Sequence, residues 1–382
     1  MKQERDWIPD FIKPVLRFVH YKQERKKVFR EIAIRRIQDE KIKSYNSTAK
    51  RLIVFLVQGA DYDTGTDKIS GGAISIVSLC EESTKLQSIH EAEVIMCTFP
   101  DQHLLARHTQ FKNIVDIFRY EQLESYFSNV EDLLLHIPEF MCQHVNKMVE
   151  QNKFLWLKKI NHVHINILNQ NIRLMPTVDE VSVMKRYASV VTATTAHHQY
   201  CTAYYRDLYQ IPLHKFSVWI SPEKYLYKEY KDKQNLIIIS PDEHPKKKEI
   251  LDLLAKVPGL QLQIIQNLTY EQYKEAIANA KWSLTFGEGL DGYLIEPIFS
   301  GAIGFAVYND EFFTSDFTSW QTLYISFDML CEKIVNDMNR LDEEQIFQSY
   351  QKKQFELCAA YYSEQEYKQN IIAFYKKEYT YK

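Results

Sequence analysis

The chain has 382 residues, 45% of them apolar and 25% charged, enough for two cores of the ordinary globular kind. Its 47 Lys/Arg against 50 Asp/Glu leave a net charge of −3, which excludes a polyelectrolyte basis for binding nucleic acid. Glycine is scarce at 10 residues, where average usage gives roughly 27, so collagen-like, linker-rich and disordered classes are excluded as well.

The charge is not spread evenly. Residues 1–51 hold 15 Lys/Arg against 7 Asp/Glu, a net +8, which leaves −11 for the remainder. Within this arm Trp7, Ile8, Phe11, Ile12, Val15, Leu16 and Val19 recur at helical spacing among Lys13, Arg17, Lys22 and Arg25. A basic amphipathic segment of this kind can lie on an anionic membrane surface, here through residues 1–45, or dock on its own domain by the apolar stripe. Pro14 interrupts the first half and argues against one continuous helix. No run of 18 apolar residues reads as a transmembrane helix, and MKQERDWIPDF carries no apolar signal segment. The six cysteines are scattered without a C-x-x-C, as expected of reduced thiols in a cytoplasmic protein and not of a zinc site.

From residue 51 the pattern alternates. RLIVFLV (51–57) is an almost wholly apolar run, the mark of a parallel strand buried on both faces. EVIMCTF (93–99), KNIVDIF (112–118), DLLLHI (132–137), HVHINIL (162–168) and SVVTAT (189–194) are further expected strands, with helical stretches between most of them. Residues 220–233 lose the periodicity and read as a connector. Alternation restarts at NLIIIS (235–240) and continues through LQLQII, WSLTF (282–286), IGFAVY (303–308) and TLYISF, while Thr269 and Gln272 form a capping box for the helix TYEQYKEAIANA. The fold class expected is therefore α/β, with two doubly wound Rossmann-like domains facing a cleft. The boundaries are 1–50 for the arm, 51–219 and 234–340 for the domains, and 341–382 for C-terminal helices packing back toward the N-domain.

Nine of the ten glycines fall into two clusters, Gly59, Gly65, Gly71 and Gly72, and Gly287, Gly289, Gly292, Gly301 and Gly304. GEGLDG spells G-x-G-x-x-G between a strand and a helix, with Asp310 about 20 residues on, which admits an NAD(P)-dependent oxidoreductase. Only 72 residues remain beyond Asp310, however, too few for the βα units that such a domain still needs. The same segment places Glu288 on the turn and Glu296 one turn into the helix. Carboxylates there suit hydroxyl donors, and amides at a helix N-terminus suit a diphosphate. The plain alternative is a turn residue and a solvated helix residue.

The spacing Glu288-GLDGYLI-Glu296 resembles the E-x7-E donor motif of two-domain (GT-B) glycosyltransferases of the retaining family 4 type. ADYDTGTDKISGGAISIVSL resembles their N-terminal glycine loop, DLLLHIPEF a strand ending at the cleft with His136, and SVWISPEKYLY their interdomain connector, so the likeness spans residues 51 to 310. It implies that Glu288 contacts the donor sugar and Glu296 the ribose. Amides around Gly289 to Gly292, with Gly71 and Gly72, would hold the diphosphate, with Lys246 or Lys247 as phosphate-binding lysine. Asn267, Gly287, Leu290 and Asp291 complete the expected donor-binding set, and His136 joins Glu288 as catalytic. The arginine of that family five residues before the lysine is absent. Pro241 or Asp242 stands there, and His244 or another arginine would have to compensate.

Asp61-Tyr62-Asp63 is a literal D-x-D but sits directly after the first strand and reads as a turn. No metal or cofactor is expected, and the paired histidines 162/164 and 197/198 lack a third ligand. The function expected is transfer of a sugar from a UDP- or GDP-sugar to a hydroxyl of a glycan, lipid-linked or protein acceptor, with retention, in surface polysaccharide or glycoconjugate assembly. The non-enzymatic alternative is a binding or scaffold protein that keeps this fold without its chemistry.

Overall fold

A computed structural model describes residues 22–57, 71–98, 117–266, 268 and 270–382. The tryptophan-containing stretch of the arm, the D-x-D, the capping-box Thr269 and the donor-set Asn267 lie outside them.

Seven strands form the first sheet: β1 (Arg51–Val57), β2 (Glu93–Thr98), β3 (Ile117–Arg119), β4 (Asp132–Pro138), β5 (His162–Asn169), β6 (Val190–Thr195) and β7 (Leu213–Lys215). They run parallel in the order β3-β2-β1-β4-β5-β6-β7. The second sheet has β8 (Gln234–Ile239), β9 (Gln261–Ile264), β10 (Ala280–Leu284), β11 (Ile303–Val307) and β12 (Leu323–Tyr324), parallel in the order β12-β11-β10-β8-β9. The two doubly wound sheets expected from the sequence are present. β1 is buried from Leu52 to Val57 and β10 throughout, because helices cover both faces.

The principal helices are α1 (Lys22–Ile42), α2 (Gly71–Thr84), α3 (Cys142–Glu150), α4 (Val178–Met184), α5 (Ala203–Tyr209), α6 (Lys247–Leu254), α7 (Tyr270–Asn279), α8 (Gly292–Phe299), α9 (Phe327–Leu341), α10 (Glu344–Tyr361) and α11 (Glu364–Tyr375). Several begin at side-chain caps. Thr177 and Glu180 form a full capping box on α4, and Ser326 and Ser363 cap α9 and α11. None of the described helices is long and apolar enough to cross a membrane. Helix α1 leans on the β3 edge through polar pairs, Arg35 with Glu121 and Arg119 with Asp39, and leaves Phe29 61% exposed.

One face of each sheet has its own core, but the facing sides share a third. It runs from Phe55 and Val57 through Trp219, Ile220 and Tyr225 of the connector to Ile238, Leu294 and Phe299 of the second domain. The connector is held to the end of α8 by Gly301. Its φ is +92°, and a β-carbon there would meet the Lys228 carbonyl at 2.3 Å, so only glycine fits. The chain then returns. α11 lies against the first domain, where Tyr375 donates to Ser83 Oγ at 2.6 Å and Tyr381 bridges to Leu213 beside β7.

Candidate functional site

In an open parallel sheet the ligand crevice lies beyond the strand C-termini, where the strand order reverses. In the first domain that point falls between β1 and β4, and in the second between β8 and β10. The residues leaving these strands are Glu139 after β4, Ser240 to Asp242 after β8, and Thr285 to Glu288 after β10. Asn171, after β5, completes the group.

The turn after β10 is built by its own polar groups. Thr285 Oγ1 donates to Asp291 Oδ2 at 2.8 Å and accepts from the Gly287 N–H at 3.2 Å. Asp291 caps α8 by accepting from the Leu294 N–H at 3.1 Å. Gly289 has φ +91°, and a β-carbon on it would meet Phe313 at 2.5 Å and the Val307 carbonyl at 2.9 Å. These constraints aim Glu288 into the cleft, where Asn171 Nδ2 of the other domain donates to its Oε1 at 2.5 Å. The backbone N–H of Asn171 donates to Glu139 Oε1 at 3.0 Å. One asparagine thus links carboxyl groups from both domains. Beside it Arg173 pairs with Glu311, whose carbonyl accepts from the Tyr200 hydroxyl, so the domains also meet at the rim.

Next to this contact lies a cavity of about 340 Å³, within the range of ligand sites. Gly71 and Ile74 of α2 form one side. Asp242, Gly287, Glu288, Asp291, Gly292 and Glu296 form the other, with Tyr270, Tyr273 and Tyr293. Glu296 is 6% exposed, and its Oε2 has no hydrogen-bond partner among the described residues. Burial raises its carboxyl to about 8, against some relief from the Tyr225 hydroxyl. Burial likewise raises Asp291 to about 7 and Glu139 to about 7. Glu288 is also raised by burial, which the Arg173 guanidinium partly offsets.

The expected residues separate into two groups. Gly71, Gly287, Glu288, Asp291, Gly292 and Glu296 line the cavity. Gly72 adjoins it, its carbonyl accepting from Gln170 Nε2 at 3.3 Å, while Gly289 and Leu290 shape the turn, Leu290 with its side chain in the core. The remainder point elsewhere. Lys247 is 7% exposed and spends its ammonium on the carbonyls of Ser240, Pro241 and Asp242 at 3.2, 3.1 and 2.7 Å. Lys246 turns outward to Glu249 and Asp328, both at 2.9 Å. His244 stacks on Phe327 with ring centroids 3.7 Å apart and accepts from the Lys246 N–H, so it does not replace the absent arginine.

His136 needs correction too. β4 continues to Pro138, so His136 lies two residues short of the strand end and inside the sheet, paired in register with Phe55 and Asn166. Its ring stacks on Phe55 at 4.3 Å, accepts from Asn166 Nδ2 at 3.0 Å, and is fully buried, which holds it neutral. It is a core histidine. Glu139 occupies the place expected for it, and Asn171 and Arg173 were not foreseen at all. The signal for Glu139 was present in DLLLHIPEF, three residues further on.

GEGLDG does stand between strand and helix, but β10 is the third strand of its domain, with only β11 and β12 to follow. A dinucleotide fingerprint belongs to the first strand of its unit. Among the described residues no three acidic, histidine or cysteine side chains converge to hold a metal ion.

No protein-family model matches the chain, and no curated protein sequence does. Solved structures do. A sucrose-phosphate synthase from Thermosynechococcus elongatus aligns with a TM-score of 0.54 at 12% identity, over 86% of this chain and 99% of that one. The Anabaena protein HepE in complex with UDP-glucose aligns with a TM-score of 0.54 at 12% identity, over 85% and 99%. An alpha-glucosyltransferase in complex with UDP-glucose and DNA aligns with a TM-score of 0.53 at 11% identity, over 85% and 99%. The chain has the GT-B fold. At these identities the likeness establishes architecture, and the GT-B cleft is where Glu288 and Asn171 meet.

Proposed function

We propose that this GT-B chain is a glycosyltransferase that takes a nucleoside diphosphate sugar, a UDP- or GDP-sugar, and transfers the sugar to a hydroxyl acceptor. The observation that carries this is the unpartnered, buried Oε2 of Glu296 on a cavity that ends at Glu288. A buried carboxyl oxygen without a partner suits a ligand hydroxyl, as a ribose provides, and Glu288 then meets the sugar. Breaking the anomeric C–O bond places positive charge on the sugar and negative charge on the departing diphosphate. Glu288, oriented by Asn171, faces the first, and the amides at the start of α8 face the second. Two similarly folded proteins in complex with UDP-glucose agree with this donor class. Retention, a glycan, lipid-linked or protein acceptor, a role in surface polysaccharide assembly and cytoplasmic action on an anionic membrane through residues 1–45 are the finer parts of the same proposal.

Isothermal titration with UDP, GDP and NAD, followed by product analysis with UDP-glucose and GDP-mannose, tests it. Binding of a nucleoside diphosphate and release of it from the sugar donor are expected, and NAD binding alone would reverse the conclusion. A specific observation favours a second reading, a donor-fold protein without catalysis: neither expected lysine reaches the cleft. Nucleotide binding without turnover would select it.

A further inference from the structure

We propose that the first domain carries a second ligand site, at the opposite end of its sheet from the cleft, for a small sugar anion: a polyhydroxylated ring bearing one phosphate or carboxylate. It does not rest on the donor class proposed above. The site is a cavity of about 580 Å³ at the N-terminal ends of β1, β4, β5 and β6, under the end of α11. The seven residues of β4 set it roughly 20 Å from the cleft, at about 3.3 Å per residue. A doubly wound sheet buries apolar side chains on both faces. Here, however, strand register sets Arg51, Asp132 and His162 side by side, with Ile53, Leu134 and His164 as the next row. The helix on this face, α11, ends beside them at Tyr375. Its last turn closes with the Lys377 N–H on the Phe374 carbonyl and the Glu378 N–H on the Ala373 carbonyl, both at 2.9 Å. Lys377 takes φ +60° there, a position that glycine normally fills, and the chain then leaves for β7.

The groups on the walls match such a ligand. Asp132 Oδ2 accepts from Arg51 Nε at 3.2 Å, and Arg51 also reaches Glu91 at 3.3 Å. These bonds use only part of a guanidinium's donors and of a carboxylate's lone pairs, so a donor and an acceptor stand side by side for ligand hydroxyls. His164 supplies a second acceptor. Asn166 Nδ2 donates to Thr194 Oγ1 and to the His136 ring, which turns its Oδ1 toward Thr192. Thr192 Oγ1 gives its one hydrogen to that oxygen at 2.8 Å, and therefore accepts from His164 Nε2 at 2.9 Å. Burial, then the nearby Lys377, holds the His164 ring neutral, so its Nδ1 keeps a lone pair for a hydroxyl. Phe374 packs on His164 with ring centroids 6.0 Å apart and, with Leu134, gives the inner wall an apolar surface for the C–H groups of a sugar. The charged lining residues are Arg51, Lys377 and Asp132, an excess of one positive charge, which suits a ligand with one anionic group. Glycine would suit the turn's backbone better, and a ligand for the ammonium accounts for lysine there.

Calorimetric titration of the full chain with glucose phosphorylated at the anomeric or the primary hydroxyl and with glucuronate, against glucose and inorganic phosphate, tests the site. At least one sugar anion should bind saturably, more tightly than either control, and equally well with UDP present. Lys377→Gly suits the left-handed turn and should melt no lower than the parent, yet lose about tenfold or more in affinity, the worth of a hydrogen bond to a charged group. A merely structural lysine would not separate these two readouts. Asp132→Asn, checked for folding by circular dichroism, serves if the first variant is unstable and should show the same loss. No saturation with any sugar anion up to about 10 mM would overturn the site. So would unchanged affinity in the folded variant, or binding abolished by UDP, which would put the ligand in the donor cleft. Failure of UDP to bind would count against the donor class alone, and the variants would still decide the site.

Discussion

Asn171 and Glu288 come from different domains and are 117 positions apart, yet Nδ2 and Oε1 lie 2.5 Å from one another. The same asparagine donates its N–H to Glu139. It therefore fixes the rotamer of Glu288 and the approach of the domains together. Removing it leaves a largely buried carboxyl without its donor. Asn171→Ala should lower transfer by about 10- to 100-fold, the worth of a hydrogen bond to a charged group, with a smaller effect on donor affinity. Steady-state kinetics with the preferred donor would check the split, and an unchanged kcat would remove Asn171 from the positioning of Glu288.

Glu139 makes stability depend on pH in a definite direction. Burial raises its carboxyl from 4.5 to about 7, and backbone hydrogen bonds, which favour the ionised form, offset only part of that rise. In the unfolded chain it ionises near 4.5, so the folded state holds the extra proton between these values. Stability from the neutral form is complete below about pH 4.5 and is lost as pH rises through 7. Glu139→Gln keeps the acceptor for Asn171 and cannot ionise. Its melting temperature should match the parent at pH 4.5 and exceed it by pH 8, by at most about 3 kcal/mol in free energy. A difference independent of pH would contradict a buried, titrating carboxyl.

The two neighbouring lysines should behave oppositely. Lys247→Met strips a donor from three carbonyls of the loop after β8 and should cost about 1–3 kcal/mol, seen in urea unfolding. Lys246→Ala removes exposed ion pairs with Glu249 and Asp328 and should cost under about 1 kcal/mol. It should also leave nucleotide affinity in place. Loss of binding in Lys246→Ala would place that ammonium in the cleft after all.

Alanine at two glycines separates backbone need from open space. At Gly289 the positive φ and the contacts with Phe313 and the Val307 carbonyl make the substitution costly, about 2 kcal/mol or more. At Gly71 nothing lies within 4 Å of the added carbon, and alanine favours the helix that starts there. Thermal melts should show the first variant lowered and the second unchanged or raised. Equal effects would mean that the turn after β10 adopts another conformation.

The sheets were legible because strands such as β1 and β8 contain continuous apolar runs, Leu52 to Val57 and Leu236 to Ile239, that are wholly buried. β7 was not. Leu213–Lys215 is three residues long with a histidine at its centre, and it is completed by Tyr381 from the far end of the chain. Glu288 and Glu296 could be found by local spacing, since a turn and the first turn of one helix carry both. Asn171 and Arg173 could not, because strand register across β4 and β5 brings them to the cleft and no local pattern marks it, whereas Glu139 stood in DLLLHIPEF and was missed by three residues. His136 was misplaced by two residues of strand length. For the lysines, position at the start of α6 was readable but direction was not, since the carbonyls that capture Lys247 appear only once the preceding loop is folded.

The return of α11 to the first domain gives the chain two crossings between domains, one through the connector after β7 and one after α10. The crossings run side by side, with Ser217 Oγ donating to the Tyr361 carbonyl at 3.5 Å. A single tether would let the domains swivel. Two crossings held together restrict that rotation and keep Asn171 in line with Glu288.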